Sequence, residues 1–241
     1  MSIAKKFEVI ADEVYEKGKK DEYDKFWDVF QNMGKRTNYK YGFAGHGWNS
    51  DNFYPKYDIV VTSGTNMFQE FNGQEIKMFD LNERLNQLGI KFDTSAVANF
   101  DYMFYAIRTY SIPSINTKNA TRLRCVYQNA RKVKTIGTLI LKDDGSQEFI
   151  DCFSNCGALE NFTIEGTIGQ NGFNVQWSTK LSGASIVSII EALSTTTSGL
   201  TVTLSQTAVN NMVFPIVGNK GTYNSWTDLE QSRTNWTISL L

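Results

Sequence analysis

The side chains able to do chemistry are few and poorly grouped. His46 is the single histidine of the 241 residues, so any Ser-His-Asp or Cys-His relay would have to pass through it. It stands in Gly45-His46-Gly47-Trp48, a loop sequence with no cysteine within 70 residues. Cys152 and Cys156 are four apart and Cys125 is the third thiol. Two thiols and a remote imidazole fall short of a structural zinc set, and an odd count argues against a complete disulfide framework. The adjacent carboxylates Asp143 and Asp144 occupy Lys142-Asp-Asp-Gly-Ser146, a turn sequence. Glycoside hydrolysis needs two carboxylates facing each other across a cleft, and spacing alone leaves such a pair elsewhere in the chain open. Gly64-Thr-Asn and Gly166-Thr-Ile-Gly169 lack the lysine and the helix that make a glycine loop a phosphate cradle. The expectation is therefore a non-enzymatic chain with no catalytic residue, no metal site and no cofactor.

Charge is unevenly spread within a formal net charge of −1. Residues 102–142 carry eight Lys or Arg and no Asp or Glu, whereas residues 143–241 carry nine acidic and three basic residues. A ridge of Arg122, Arg124, Arg131 and Lys132 would suit an acidic partner or a polyanion, or form a solvated flank. Tyr105, Tyr110 and Tyr127 interleave with these arginines, as in a platform for stacked bases. Tyr127 falls on a position that should be buried, so nucleic acid is not expected as a partner.

The positioning elements begin with a helix over residues 3–18. Ile3, Phe7, Ile10 and Val14 recur at intervals of four, three and four, a two-heptad apolar seam suited to oligomerisation or docking. A second helix is predicted over 21–31, with Tyr23, Phe26, Trp27 and Phe30 on one side, followed by a Gly/Asn-rich loop over 32–51. No secretory leader is read at the start, and no run approaches the roughly 20 apolar residues of a membrane span. Synthesis and folding in a cytoplasm are the expectation.

Beyond that the chain repeats. Phe153-Ser-Asn-Cys156-Gly-Ala-Leu159-Glu-Asn-Phe162-Thr-Ile164 matches Tyr127-Gln-Asn-Ala130-Arg-Lys-Val133-Lys-Thr-Ile136 at a shift of 26 residues. Weaker starts lie at Phe104, Phe68 and Phe43, at intervals of 23, 36 and 25. The long interval holds a short helix over 82–88, ended by Gly89, and a strand over 90–92. One such unit cannot bury its apolar face, so stacked units should share a core and pair their strands in parallel. About eight strands would make a sheet roughly 40 Å long. Small residues at Ala130 and Cys156 should sit where neighbouring units approach. After Trp177 the pattern changes to helix-strand pieces: a helix over 185–193, a strand over 200–204, a helix over 225–232 and a strand over 236–240.

If apolar positions point inward, the alternate positions form rows on the exposed sheet. These are Asp58, Asp80, Ser114, Thr135, Thr163, Glu165, Thr201, Thr203, Thr237 and Ser239. Short hydroxyl and carboxylate side chains suit a carbohydrate or a polar protein surface, although threonine is also common in strands for conformational reasons.

The unit at 153–164 resembles the BspA-like class of bacterial leucine-rich repeats. Met67-Phe68, Met103-Phe104, Ile112-Pro113-Ser-Ile115, Phe162-Thr-Ile-Glu-Gly-Thr-Ile168, the Val14–Trp27 segment and Asn235-Trp-Thr-Ile-Ser-Leu240 together look like a subgroup carried by phages, often among tail or baseplate genes. The resemblance covers about residues 40–241. It implies an α/β leucine-rich-repeat-type solenoid with a parallel sheet, an N-terminal helical segment (1–32), a solenoid (33–176) and C-terminal helix-strand capping units (177–241). It further implies a virion-associated structural or binding protein. Expected partners are other virion proteins, a second copy, or a host surface glycan or protein. The alternative is a bacterial surface adhesin or recognition module.

Overall fold

A column of aromatic rings runs through the core of the protein, seen here in a computed structural model that describes residues 42–45, 48–73, 75 and 77–241. Phe43 stacks on Phe68 with ring centroids 5.2 Å apart, Phe68 on Phe104 at 5.3 Å, Phe104 on Tyr127 at 5.7 Å and Tyr127 on Phe153 at 5.4 Å. All five side chains are buried. Phe43, Phe68 and Phe104, where the repeat is weakest in sequence, are rungs of this column. Leu159, Phe162 and Ile164 are buried with Phe153 as the repeat requires.

Each ring sits at the middle of a turn, and each turn is tied to the next by main-chain bonds. The N–H groups of Asn66, Phe68 and Glu70 donate to the carbonyls of Asp101, Met103 and Tyr105. Those of Tyr102, Phe104 and Ala106 donate to Arg124, Val126 and Gln128, and those of Cys125, Tyr127 and Asn129 to Ile150, Cys152 and Ser154. The residues two before and two after each anchor are left-handed: Asn66 and Glu70, Tyr102 and Ala106, Cys125 and Asn129, and Asp151 and Asn155 have φ between 50° and 62°. A non-glycine residue pays roughly 1–2 kcal/mol for that conformation. The bonds between turns and the burial of the rings offset the strain.

Strands are short. β1 (Ile59–Val60) pairs in parallel with β2 (Phe92–Asp93). β3 (Ser111–Ile112), β4 (Ile115–Asn116), β6 (Thr135–Ile140) and β8 (Asn161–Glu165) form a four-stranded parallel sheet. β5 (Arg122–Arg124) pairs with β7 (Glu148–Ile150) and β9 (Leu200–Leu204) with β12 (Trp236–Leu240), both in parallel. β10 (Ile216–Val217) and β11 (Thr222–Tyr223) are antiparallel. The described helices are α1 (Leu81–Gln87), α2 (Gly183–Ala192), α3 (Gln206–Asn210) and α4 (Trp226–Gln231).

This corrects the expected α/β leucine-rich-repeat-type solenoid with one parallel sheet. The strands divide among five small sheets, one of them antiparallel, and helices are few among the described residues. Two local causes break the sheet. Between β2 and β4, the Thr94 hydroxyl accepts from the Asn116 N–H at 2.8 Å and donates to the Asn116 carbonyl at 3.1 Å, where a strand pair would form main-chain bonds. On the outer edge of β8, the N–H groups of Phe162 and Ile164 donate to the hydroxyls of Ser185 and Ser188 on α2, at 3.0 and 2.8 Å. A helix thus closes the edge where another strand was expected. The C-terminal elements do not continue that sheet, and α3 and the β10–β11 hairpin were not foreseen.

Tyr127 is the one polar rung. Its hydroxyl is buried without a hydrogen-bond partner among the described residues. Burial pushes its ionisation well above the ordinary tyrosine range, with Cys152 and Cys156 adding to the effect. Tyr127→Phe removes an unsatisfied buried group and keeps the ring, so it should stabilise the protein by about 1–2 kcal/mol. Urea unfolding checks this, and a lower midpoint in the variant would contradict it.

Candidate recognition face

The four-stranded sheet brings several of the expected side chains onto one outward face. Thr135 lies opposite Asn161, Thr138 opposite Thr163, and Ile140 opposite Glu165 on one side and Asn116 on the other. The Ser114 hydroxyl accepts from the Thr138 N–H at 2.8 Å, which puts Ser114 in the Thr138–Thr163 row. Ser114, Thr163 and Glu165 are exposed and Thr135 is half-buried. Asn161 and Thr138 were missed because β6 carries a bulge between Thr135 and Thr138, which shifts the two-residue alternation by one. Glycine is required inside that bulge: a Cβ on Gly137 would stand 2.5 Å from the Ser114 nitrogen.

Tyr110 marks the rim of this face. Its side chain is 44% exposed, and its carbonyl accepts from the N–H groups of Lys134 and Thr135 at 2.9 and 3.2 Å. Lys134 and Glu160 pair beside it at 3.8 Å. The face therefore offers hydroxyls, one amide, one aromatic ring and carboxylates.

The other expected members lie elsewhere. Thr201 faces Thr237 and Thr203 faces Ser239 on the separate β9–β12 sheet. Asp58 precedes β1 and accepts from the Lys91 N–H at 3.0 Å. Asp80 belongs to no strand row: it is the N-cap of α1, its carboxylate accepting from the Glu83 N–H at 2.7 Å and from the Ser111 hydroxyl. The sequence Asp80-Leu-Asn-Glu83 carries this signal, an N-cap residue with an acid three positions on. Ile3, Phe7, Ile10, Val14 and His46 lie outside the described residues.

The basic ridge is largely neutralised by carboxylates from neighbouring turns. Arg122 pairs with Asp101 at 2.9 Å, Lys132 with Glu75 at 3.1 Å, and Arg108 with the other oxygen of Glu75 at 3.1 Å. The Arg124 guanidinium lies over the Tyr102 ring at 5.6 Å. Arg131 is exposed. Tyr127, one of the three interleaved tyrosines, is buried in the column.

The reactive side chains have structural work. Burial pushes the Cys152 thiol well above its usual range and the Cys156 thiol to about 12, and the Cys156 thiol donates to the Tyr127 carbonyl at 3.0 Å. The Ser146 N–H at 2.9 Å from Asp144 lowers that carboxyl, while Asp143 pairs with Lys118 at 2.9 Å. Among the described residues no group of three or more His, Cys, Asp or Glu is placed to hold a metal ion, and no helix is long and apolar enough to cross a membrane. A recess of about 150 Å³ lined by Ser50, Phe79, Asp80, Glu83, Arg84 and Gln87 is below the roughly 300–1,000 Å³ of small-molecule sites. Compared with family models, curated proteins and solved structures, the chain matches none.

Proposed function

We propose that the protein acts by binding, as a virion-associated structural or recognition protein of the tail or baseplate kind, and that the outward face of the β3–β4–β6–β8 sheet is its contact surface. The observation that carries the binding reading is the in-register row Ser114–Thr138–Thr163 beside Thr135–Asn161 and Glu165. Hydroxyl, amide and carboxylate groups on a pleated surface match the hydrogen-bonding pattern of a glycan or a polar protein surface. The rim ring of Tyr110 adds an amphipathic platform of the kind favoured at interfaces. The phage assignment rests on the sequence resemblance at residues 67–68, 103–104, 112–115 and 162–168.

Asn161→Arg, Thr163→Arg and Glu165→Lys, made together, place bulky cations on exposed positions and leave the buried sides of β8 untouched. The combined variant should keep its melting temperature and lose at least about tenfold in affinity for particles or host cells, equivalent to 1.4 kcal/mol. Unchanged adsorption with an intact fold would remove this face as the contact surface. Binding to cells with no association with particles would favour the adhesin reading.

A further inference from the structure

The strand β12 presents an open edge. It pairs with β9 alone, in parallel. The Leu241 N–H donates to the Leu204 carbonyl, and the Gln206 N–H to the Leu241 carbonyl. By the alternation of a parallel ladder, the main-chain groups of Thr237, Ser239 and Leu241 face β9, and those of Ile238 and Leu240 point away from it. The Trp236 N–H is already used, donating to the Arg233 carbonyl at 3.0 Å.

The contrast with β8 matters. There the free edge is closed by two serine hydroxyls of α2. Nothing comparable protects β12. The stretch Thr234-Asn-Trp-Thr-Ile-Ser-Leu-Leu241 has no charge and no proline, the usual devices that keep an edge from pairing. Apolar side chains cluster at the same end: Leu200, Ile238 and Leu240 are only partly buried against the core and Leu241 is 68% exposed.

We infer that β12 is a self-association edge, pairing antiparallel with β12 of a second copy about a two-fold axis at Ile238. The strand is self-complementary in that arrangement. Ile238 meets its own equivalent with its outward N–H and C=O forming a mutual pair of bonds. Trp236 lies opposite Leu240 of the second copy, apolar against apolar. Thr237 lies opposite Ser239, hydroxyl against hydroxyl, the type of cross-strand pair that stabilises sheets. With no charged side chain on either strand, no like-charge repulsion opposes the contact. Two two-stranded ribbons become one four-stranded sheet, which is more robust than either alone. Five-residue strands bury less than the roughly 800 Å² per partner of a standard interface, so the dimer should be a weak, reversible one.

Sedimentation velocity on the full chain tests this, from about 1 µM to about 500 µM, a range centred on weak association. The wild type should move from monomer to dimer across it. A Thr237→Lys/Ser239→Lys variant sets cations against each other across the two-fold and should stay monomeric at every concentration, with unchanged circular dichroism. Mixed with a Thr237→Glu/Ser239→Glu variant, it should form a one-to-one dimer. A wild type that is monomeric throughout overturns the inference, as does a Lys/Lys variant that dimerises like the wild type. These substitutions leave the β3–β4–β6–β8 face intact, so this test and the adsorption test fail independently.

Discussion

Phe153→Ala should lower the stability of the protein by about 3–5 kcal/mol. The ring lies 5.4 Å from Tyr127 and 5.4 Å from Phe162, and 5.3 Å from Phe173. It is therefore where the column of turns meets β8 and the C-terminal elements. Its removal deletes three ring contacts and leaves a cavity that the neighbouring main chain cannot close, because the bonds from Cys125, Tyr127 and Asn129 to Ile150, Cys152 and Ser154 fix the spacing of the turns. For a chain of this size the melting temperature should fall by roughly 6–20 °C, as read by calorimetry. Phe153→Leu, which keeps most of the volume, should cost much less. A melting temperature within about two degrees of wild type for the alanine variant would show that the column does not carry the stability assigned to it here.

Arg233→Ala should cost a similar amount, about 3–5 kcal/mol, for a different reason. The guanidinium is buried, with Nε donating to the Leu193 carbonyl at 3.1 Å, Nη2 to the Glu191 carbonyl at 3.0 Å and Nη1 to the Ser232 carbonyl at 2.6 Å. Two of those carbonyls belong to the end of α2, where the helix dipole is negative and a cation is favoured. Around it, the Glu191 carboxylate accepts from the N–H groups of Asn219 and Lys220 at 2.8 and 2.7 Å and from the Tyr223 hydroxyl at 3.1 Å. The side chains of Asn235 and Trp236 donate to the Ser194 carbonyl. Removing Arg233 strands three carbonyls and unbalances the buried carboxylate together. Arg233→Lys, which supplies one point donor in place of a fork, should recover only part of the loss. Denaturant unfolding of both variants checks the order; an alanine variant as stable as wild type would rule out this clasp as the anchor of the C-terminal elements.

The sequence showed the anchors and hid the geometry between them. Phe68, Phe104, Tyr127 and Phe153 were legible because a buried aromatic recurs at 36, 23 and 26 residues. The left-handed residues flanking them were not, since the positions are filled by Asn, Glu, Tyr, Ala, Cys and Asp and none advertises a positive φ as glycine would. Helix positions over α1, α2 and α4 followed from apolar spacing and the glycine after α1. The sheet was over-extended because strand alternation says nothing about which neighbour a strand finds. Only tertiary packing shows that Ser185 and Ser188 take the outer edge of β8. The outward face was partly legible: Ser114, Thr135, Thr163 and Glu165 followed from alternation, while the bulge at Gly137 concealed Thr138. The charge count misled at the ridge, because Glu75 and Asp101 lie upstream of the basic stretch in sequence yet fold against it.

The bonds that join consecutive turns have a mechanical consequence. Each described turn from Phe68 to Tyr127 is fastened to the next by three parallel main-chain bonds and one ring contact. A tensile load drawn along the ring column would fall on one such set at a time, so the turns would part in series, as a zipper opens. A load across the column would be shared by every set at once, as in shear. The protein is therefore anisotropic: compliant lengthwise and stiff sideways, with an extension that proceeds in steps of one turn.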